Sequence, residues 1–274
     1  MKIAAVINAH ENSPVFNDTL ESVIHYLTDK VLVVVDGKGW SQFAEDESVR
    51  ALKLEGFYHG KGTMPFRNVA LGLMKAWETW GTSVDWYCFL EYDCLVGSSE
   101  VLNHLEEAAE LGYWIVGNDH RLEEKSLPFL EDLMKRKFEV HYLLGCCMSY
   151  SSLFMESLAK DNFFERFLTF TNFRTETINL IDSSGKPHLV YTLDEFMYPT
   201  LAVGYGGKVG EFACWKDDSF WIGNYEHYPM RFRPDLVEEP FPNACIMHPL
   251  KDYDNPVRTY HREKRMLDSA LTVR

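Results

Sequence analysis

The chain has 274 residues, of which 46% are hydrophobic and 14% aromatic. This is enough apolar material to fill the core of one large α/β domain or two small ones, and we predict a single domain over residues 1–274. Acidic residues outnumber basic ones by 41 to 27, for a formal charge of −14. That balance argues against a nucleic acid partner, although a small anion can still bind at a locally basic or metal-loaded site.

Strands and helices alternate through the first part of the chain. Residues 3–7, 31–35 and 86–90 are continuous apolar runs, typical of strands that are buried on both faces. Apolar residues recur at helical spacing between them, in 16–27 and in 69–80. This order predicts an α/β fold with a mainly parallel sheet that is flanked by helices.

The second part of the chain is less regular. We predict strands at residues 113–116 and 142–148, an exposed helix in the charged segment 123–139, and a short helix that begins at Asp194. The basic segment 258–265 predicts a solvated helix face, which leaves a peripheral membrane contact open. The sequence contains no run long enough for a transmembrane segment, no cleavable signal pattern and no CxxC pair, so we expect a cytoplasmic protein with reduced, buried thiols.

The predicted strand at residues 86–90 leads directly into Glu91-Tyr92-Asp93. Two carboxylates at the end of a strand can hold Mg²⁺ or Mn²⁺, and these cations suit the diphosphate of a nucleotide. The alternative is a strand that simply meets solvent at Glu91. In parallel sheets ligands bind beyond the carboxyl ends of the strands, so residues 8–12 and 36–39 should gather with 91–93 around one crevice.

The order of these features resembles a known family. Asp36 follows the second strand, His59-Gly60-Lys61-Gly62 leads into a helix with Asn68, and the acid pair follows. This order resembles GT-A fold glycosyltransferases, most closely the inverting, family-2-like enzymes. The resemblance implies a Rossmann-like, mixed sheet and transfer of a sugar from a UDP- or GDP-sugar to a hydroxyl group of a saccharide or glycoconjugate.

The resemblance also implies a division of labour along the chain, with a nucleotide-sugar-binding half at 1–95 and an acceptor-binding half at 96–274. The residues that it assigns to the nucleotide-sugar are Ala9, His10, Glu11, Asp36, Lys61, Asn68, Glu91 and Lys251. Two of these positions have a purely structural alternative. Asp36-Gly37 is also a common turn, and Gly60-Lys61-Gly62 is also a flexible connection.

Glu91-Tyr92-Asp93 corresponds to the DxD motif of that family, with Glu in place of the first Asp. By resemblance Asp93 would bind Mn²⁺ or Mg²⁺ directly, and the role of Glu91 is the part that the substitution puts in question. His248, at the end of a late apolar strand, matches the C-terminal histidine that many of these enzymes use as a further ligand. The alternative is a histidine that is hydrogen-bonded in place before Pro249.

An inverting mechanism needs a carboxylate that accepts the proton of the attacking hydroxyl group. Asp194-Glu195 resembles the family's xED element at a helix start, with Gly204-Tyr205 following at the family's spacing. The sequence leaves open which of the two acids is the base. The structural alternative is that Asp194 is an N-cap.

Two other functions remain as alternatives. A sugar-phosphate nucleotidyltransferase of related fold would need a glycine-rich, basic loop for a triphosphate, and residues 8–14 contain no Gly, Lys or Arg. A non-catalytic sugar- or nucleotide-binding protein would be expected to lack the metal and base acids, whereas Asp93, Asp194 and Glu195 are present.

Overall fold

The computed structural model describes residues 1–57, 66–172, 179–189, 192–213, 230–236 and 239–272. The helices in these ranges are α1 (Pro14–Tyr26), α2 (Trp40–Phe43), α3 (Phe66–Trp80), α4 (Val101–Glu110), α5 (Pro128–Met134), α6 (Ser152–Lys160), α7 (Phe163–Asn172), α8 (Asp194–Gly204) and α9 (Pro256–Thr272). The strands are β1 (Ile3–Ala9), β2 (Val31–Val35), β3 (Leu52–Glu55), β4 (Trp86–Glu91), β5 (Leu95–Val96), β6 (Tyr113–Glu123), β7 (Lys125–Ser126), β8 (Val140–Ser151), β9 (Asn179–Asp182), β10 (Pro187–Leu189), β11 (Lys208–Ala213), β12 (Met230–Phe232) and β13 (Ile246–His248).

A seven-stranded sheet, in the order β11-β6-β8-β4-β1-β2-β3, forms the centre of the fold. The neighbours β3-β2, β2-β1, β1-β4 and β6-β11 are parallel, whereas β8 is antiparallel to both β4 and β6. Helix α3 packs on β1 and β2, and α8 packs on β8. The predicted fold class, a mixed and mainly parallel α/β sheet flanked by helices, is confirmed.

The apolar runs form the central strands because both of their faces are covered. Every residue of β1 and β2 is buried, and each large aliphatic side chain removed from water contributes about 1.5–3 kcal/mol. Helix α3 approaches closely at Gly72, where an added Cβ atom would lie 2.6 Å from a methyl carbon of Val34 and 2.7 Å from one of Val6. Helix α1 begins where Ser13 accepts a hydrogen bond from the Phe16 N–H at 3.3 Å.

A small three-stranded sheet carries the end of the chain back to β4. In it β13 pairs with β5 antiparallel, with Ile246 opposite Val96 and Met247 opposite Leu95, and with β12 in parallel. Because β5 follows the turn after β4, this pairing brings His248 to the carboxyl end of β4.

The predicted helix at residues 123–139 is only partly correct. Strand β6 extends to Glu123, and β7 follows at once. The helix in this segment is α5, which has Pro128 in its first turn and is capped after Met134 by Lys135 in a left-handed conformation with φ of 56°. A proline can start a helix but not continue one, so the charged pattern overstated the helix at its start.

The predicted solvated face at residues 258–265 is wrong for three of its basic residues. Arg258 and His261 are fully buried in α9, and Arg265 is 6% exposed. Each of them makes at least one hydrogen bond to a buried or partly buried group. Arg258 donates to the carbonyl oxygen of Leu250 at 2.8 Å and to the carboxylate of Asp18 at 2.7 Å. Among the described helices, none has the length and apolar character needed to cross a membrane.

Candidate functional site

The loops after β1, β2 and β4 meet at one edge of the sheet. Ala9 lies opposite Val35, and Asn8 lies opposite Glu91, so the three strands end at nearly the same level. The backbone N–H of Asp36 donates to the carbonyl oxygen of Ala9 at 2.8 Å, which joins the first two loops. The ends of β1, β2 and β4 therefore lie together at the carboxyl edge of the parallel strands, which is where ligands bind in sheets of this kind.

Three predicted site residues make contact at this edge. The Nε2 atom of His248 lies 2.9 Å from Oε2 of Glu91 and 3.2 Å from Oδ1 of Asp93. The contact with Glu91 has hydrogen-bond geometry, and Oδ1 of Asp93 is buried without an aligned hydrogen bond. Strand β4 and strand β13, distant in sequence, thus bring one imidazole between two carboxylates.

The charges of this cluster support one another. Burial alone would raise the pKa of Asp93, but the close contact and charge of His248, together with the charge of Lys251, lower it below the ordinary value. Burial alone would lower the pKa of His248, but Cys94, Asp93 and Glu91 raise it well above the ordinary value. Asp93 therefore keeps its negative charge although its side chain is nearly fully buried.

Sequence reasoning missed Cys94, which lies next to Asp93. Within the part of the chain that the structure describes, Asp93, Cys94 and His248 are the one group of three potential metal ligands, with their ligand atoms within 4.8 Å of one another. Burial raises the pKa of the Cys94 thiol well above its usual value, and its Sγ atom lies 3.4 Å from Sγ of Cys147. Its position directly after the acid pair was the available signal. The described cysteines are buried thiols, as predicted.

Hydrogen bonds from Thr19 and Arg258, which the sequence did not predict, fix the backbone of the turn that carries the acid pair. Thr19 in α1 donates from its hydroxyl group to the carbonyl oxygen of Tyr92 at 2.7 Å. Arg258 donates to the carbonyl oxygen of Cys94 at 3.2 Å and to the Thr19 hydroxyl at 3.2 Å. These contacts fix the turn that carries Asp93, and no spacing in the sequence indicates them.

Two predicted nucleotide-binding residues of the first loop, His10 and Glu11, lie beside Tyr92, which separates the two acids. The His10 ring meets Tyr92 edge-on, with ring centroids 5.3 Å apart. Burial, with the charges of Asp93 and Glu11, raises the pKa of Tyr92. Asp36 is buried, and its Oδ1 atom accepts the N–H of Lys38 at 2.9 Å, which is the turn geometry that the sequence left open.

The structure describes Asn68 in contact with the segment after β3. Asn68 is fully buried in α3, where its side-chain amide accepts the N–H of Phe57 at 2.7 Å and donates to the carbonyl oxygen of Phe57 at 3.1 Å. It therefore holds the segment after β3 against the helix. Lys61 lies outside the described residues.

A second acid pair lies in the first turn of α8. Leu193 is the N-cap residue, so the alternative reading of Asp194 as an N-cap is not what the structure shows. Oε1 of Glu195 accepts the N–H of Gly145 in β8 at 2.8 Å. A Cβ atom at position 145 would lie 2.6 Å from Cγ of Glu195, so this approach needs a glycine.

Both acids of this second pair hold protons more tightly than an exposed carboxyl group. Burial and the neighbouring charges of Glu195 and Glu91 raise the pKa of Asp194 to about 8. Burial also raises the pKa of Glu195, although hydrogen bonds from Thr192 and Gly145 partly oppose that rise. Because Glu91 acts on both, the two acid pairs belong to the same electrostatic environment.

Several solved structures resemble this fold at low identity. A cytidylyltransferase from Leptospira borgpetersenii is 13% identical, over 80% of this chain and 78% of that chain, with a TM-score of 0.44. A mannose-1-phosphate geranyltransferase from Thermus thermophilus is 16% identical, over 65% and 70%, with a TM-score of 0.40. TarS from S. aureus is 13% identical, over 59% and 49%, with a TM-score of 0.38.

No protein-family model and no curated protein matches the sequence. We transfer no activity and no residue role from the three structures to this chain, because likeness at these levels carries no argument about function.

Proposed function

We propose that this protein transfers a sugar from a UDP- or GDP-sugar to a hydroxyl group of a saccharide or glycoconjugate, with inversion, and that it uses Mn²⁺ or Mg²⁺. The observation that carries the proposal is the contact of His248 with Glu91 and Asp93. His248 and Glu91 are 157 positions apart in sequence, yet their side chains lie 2.9 Å apart at the edge of the sheet where ligands bind in this class of fold.

The donor atoms of this cluster fit a divalent cation. Carboxylate oxygens and an imidazole nitrogen are ligands of Mn²⁺, and Oδ1 of Asp93 is a buried oxygen atom without an aligned hydrogen bond. Asp93 and His248 would hold the cation, with Glu91 beside it. When bound, the cation would neutralise the charge on the departing nucleoside diphosphate. Lys251, whose charge already acts on Asp93, would add a second positive group for the diphosphate.

The first two loops would hold the nucleoside. Asp36 is oriented by its turn, and its carboxylate would accept a hydrogen bond from a ribose hydroxyl or a base N–H. The carbonyl oxygen of Ala9 is already bound to the Asp36 N–H, so Ala9 would act through the backbone by fixing this loop. His10 and Glu11 follow Ala9 in this loop and lie beside Tyr92.

Glu195 is the carboxylate that we assign as the base. Its Oε1 atom is fixed by the Gly145 N–H, and its raised pKa brings it closer to the pH at which a base accepts a proton most effectively. Asp194, with a pKa of about 8, carries a proton at neutral pH. We assign Asp194 as a positioning residue, because a neutral neighbour allows Glu195 to stay ionised.

Nucleotide binding gives a direct test. We would measure the thermal unfolding of the whole chain with UDP, GDP, CMP, dTDP or ATP, each with Mn²⁺ and with EDTA. A rise in Tm with UDP or GDP that requires Mn²⁺ is the expected result, because a ligand that binds only the native state stabilises it. A rise with ATP alone would favour a nucleotidyltransferase, and no metal-dependent rise would contradict the proposal.

The stereochemical part of the proposal needs a separate test. Once a donor and an acceptor are found, NMR spectroscopy of the product gives the anomeric configuration. Direct attack, with Glu195 as the base, predicts the configuration opposite to that of the donor. Retention would overturn the role of Glu195 while leaving the metal site untouched.

A further inference from the structure

A groove between α1 and α9 lies apart from the two acid pairs. It encloses about 920 Å³, and none of the acids at the carboxyl edge of the sheet lines it. Its cationic lining comes from Arg50, Arg262 and Arg265. Its apolar lining includes Ile24, Tyr253 and Met266. A volume of this size is typical of a site for a small organic molecule and exceeds the space that a bare inorganic anion needs.

Arg265 is built into the floor of this groove and is incompletely bonded. Its side chain is 6% exposed, and its Nη2 atom donates to Oδ1 of Asp18. Its Nη1 atom is buried and has no hydrogen-bond partner. A buried guanidinium N–H without an acceptor destabilises the native state, because its hydrogen bonds to water are lost and no hydrogen bond within the protein replaces them. An acceptor from outside the polypeptide would remove that cost.

The charges around Asp18 are unbalanced. Its carboxylate lies 2.7 Å from Arg258 and 3.7 Å from Arg262, in addition to the contact with Arg265. One negative charge thus faces three guanidinium groups, which stay protonated in proteins. In a chain with a formal charge of −14, this is a local excess of positive charge.

The other acids near the groove do not remove this excess. Glu21 and Glu263 line it, but both are exposed at its rim, where water and salt weaken their effect. Asp268 accepts the hydroxyl group of Tyr26 at 3.0 Å. The arginines at the floor are buried or half-buried, so their attraction for an anion is screened less.

We propose that this groove binds a ligand that carries a phosphate group. Guanidinium groups match the geometry of phosphate oxygens, and Arg262 is oriented for such a contact. It stacks 3.9 Å from the ring centre of Tyr253 and donates to the carbonyl oxygen of that residue at 2.7 Å. Arg50, Arg262 and Arg265 hold the phosphate, and Ile24 and Met266 contact the apolar part of the ligand.

The phosphate can belong to a soluble molecule or to a lipid headgroup. Met266 and Leu267 are 73% and 67% exposed on α9, so an apolar surface adjoins the groove. The test therefore has two arms. Isothermal titration with sodium phosphate, against sodium chloride at equal ionic strength, detects the first source. Flotation with phosphatidylcholine vesicles that contain or lack phosphatidic acid detects the second, and EDTA in every sample keeps a divalent cation out of the other site.

Charge-removing variants distinguish specific binding in this groove from non-specific attraction by the net charge of the protein. Arg50→Gln and Arg262→Gln each remove one phosphate contact and should weaken binding about tenfold in whichever arm responds. Arg50 is exposed, so its variant tests the site without depending on the fold. Lys75→Gln is the matched control, because it removes one positive charge from an exposed pair with Glu78 on α3. It should bind like the parent chain.

Three results would overturn the proposal. One is the absence of a response to phosphate and to phosphatidic acid. The second is unchanged binding in both arginine variants. The third is an equal loss in Lys75→Gln, since that would mean attraction by net charge. Asp93→Asn should bind phosphate normally, which makes a failure of this proposal distinguishable from a failure of the metal site.

Discussion

The two acid pairs have similar composition but opposite electrostatics. Asp93 is almost fully buried, yet its pKa is lowered because His248 and Lys251 lie beside it. Asp194 is also buried, but its neighbours are Glu195 and Glu91, and its pKa rises to about 8. Burial is common to both, so the sign of the nearest charge decides which pair keeps its negative charge and which keeps a proton.

This difference suggests a division of chemical roles. A carboxylate that stays ionised in a buried place is suited to a cation, and a carboxyl group with a pKa near neutrality is suited to proton transfer. Glu91 acts electrostatically on both pairs, but each pair is held by a different contact, so the two can act in separate steps. His248 contacts the first pair, and the N–H of Gly145 contacts the second.

Removing the charge of the first pair should have the largest effect. Asp93→Asn keeps the shape of the side chain but removes the ligand charge, and we expect transfer activity to fall about a thousandfold, or about 4 kcal/mol. The Mn²⁺-dependent rise in Tm with the nucleotide should disappear with it. Asp29→Asn, at an exposed position after α1, is the control and should behave like the parent chain. Normal Mn²⁺ dependence in Asp93→Asn would contradict the metal assignment.

A substitution in the second pair should lower turnover without affecting nucleotide binding. Glu195→Gln removes the base but not the nucleotide site, so we expect kcat to fall about a hundredfold to a thousandfold. The Mn²⁺-dependent Tm shift with the donor nucleotide should stay unchanged. Comparing the kcat of the variant with its nucleotide Tm shift therefore distinguishes the pairs. A variant that loses both would mean that Glu195 belongs to the donor site.

Asp194 gives the clearest dependence on pH. Its folded pKa of about 8 lies above the ordinary value of 3.8, so the native state holds a proton that the unfolded state releases. Its contribution to the free energy of unfolding is complete below pH 3.8, declines as the pH rises, and is gone above about pH 8. Asp194→Asn imitates the protonated form and should make the protein about 4 kcal/mol more stable at pH 7.

Urea unfolding at several pH values measures this effect. The difference in stability between the variant and the parent chain should grow from pH 4 to pH 8, in the range that the two pKa values define. A constant difference would contradict the proposed protonation of Asp194. Asp29→Asn is again the control, because Asp29 is exposed. Asp161→Asn is less suitable, because Asp161 accepts a hydrogen bond from the Tyr205 hydroxyl group at 2.7 Å.

The sequence predicted the strands that carry the site better than it predicted the contacts between residues that are distant in sequence. The solid apolar runs of β1, β2 and β4 identify buried strands, and parallel strands must bring their carboxyl ends together. Contacts between distant segments are different. Arg258 binds Asp18 across 240 positions, and a basic helical segment looks the same in sequence whether its guanidinium groups are solvated or buried. The hydrogen bond between the Asn68 side chain and the backbone of Phe57 likewise has no signal in the sequence.

The prediction for His248 depended on the order of motifs along the chain. Its position became informative only together with Glu91 and Asp93, because the short pairing of β13 with β5 cannot be inferred from a three-residue strand. The hydrogen bond from the Gly145 N–H to Glu195 was indicated in the sequence only by a glycine within an apolar strand. The same pattern also accompanies bulges and close packing.

Gly145 allows the smallest and most specific test of the second pair. Gly145→Ala places a Cβ atom 2.6 Å from Cγ of Glu195, so the carboxylate must move from the N–H that fixes it. We expect kcat to fall about tenfold, since a small misplacement of a reacting group is costly, while the nucleotide Tm shift persists. Gly112→Ala is the matched control, because it has a positive φ of 72° with open space around it. It should lower stability without lowering kcat, whereas an equal loss of kcat in both variants would mean that stability alone explains the effect.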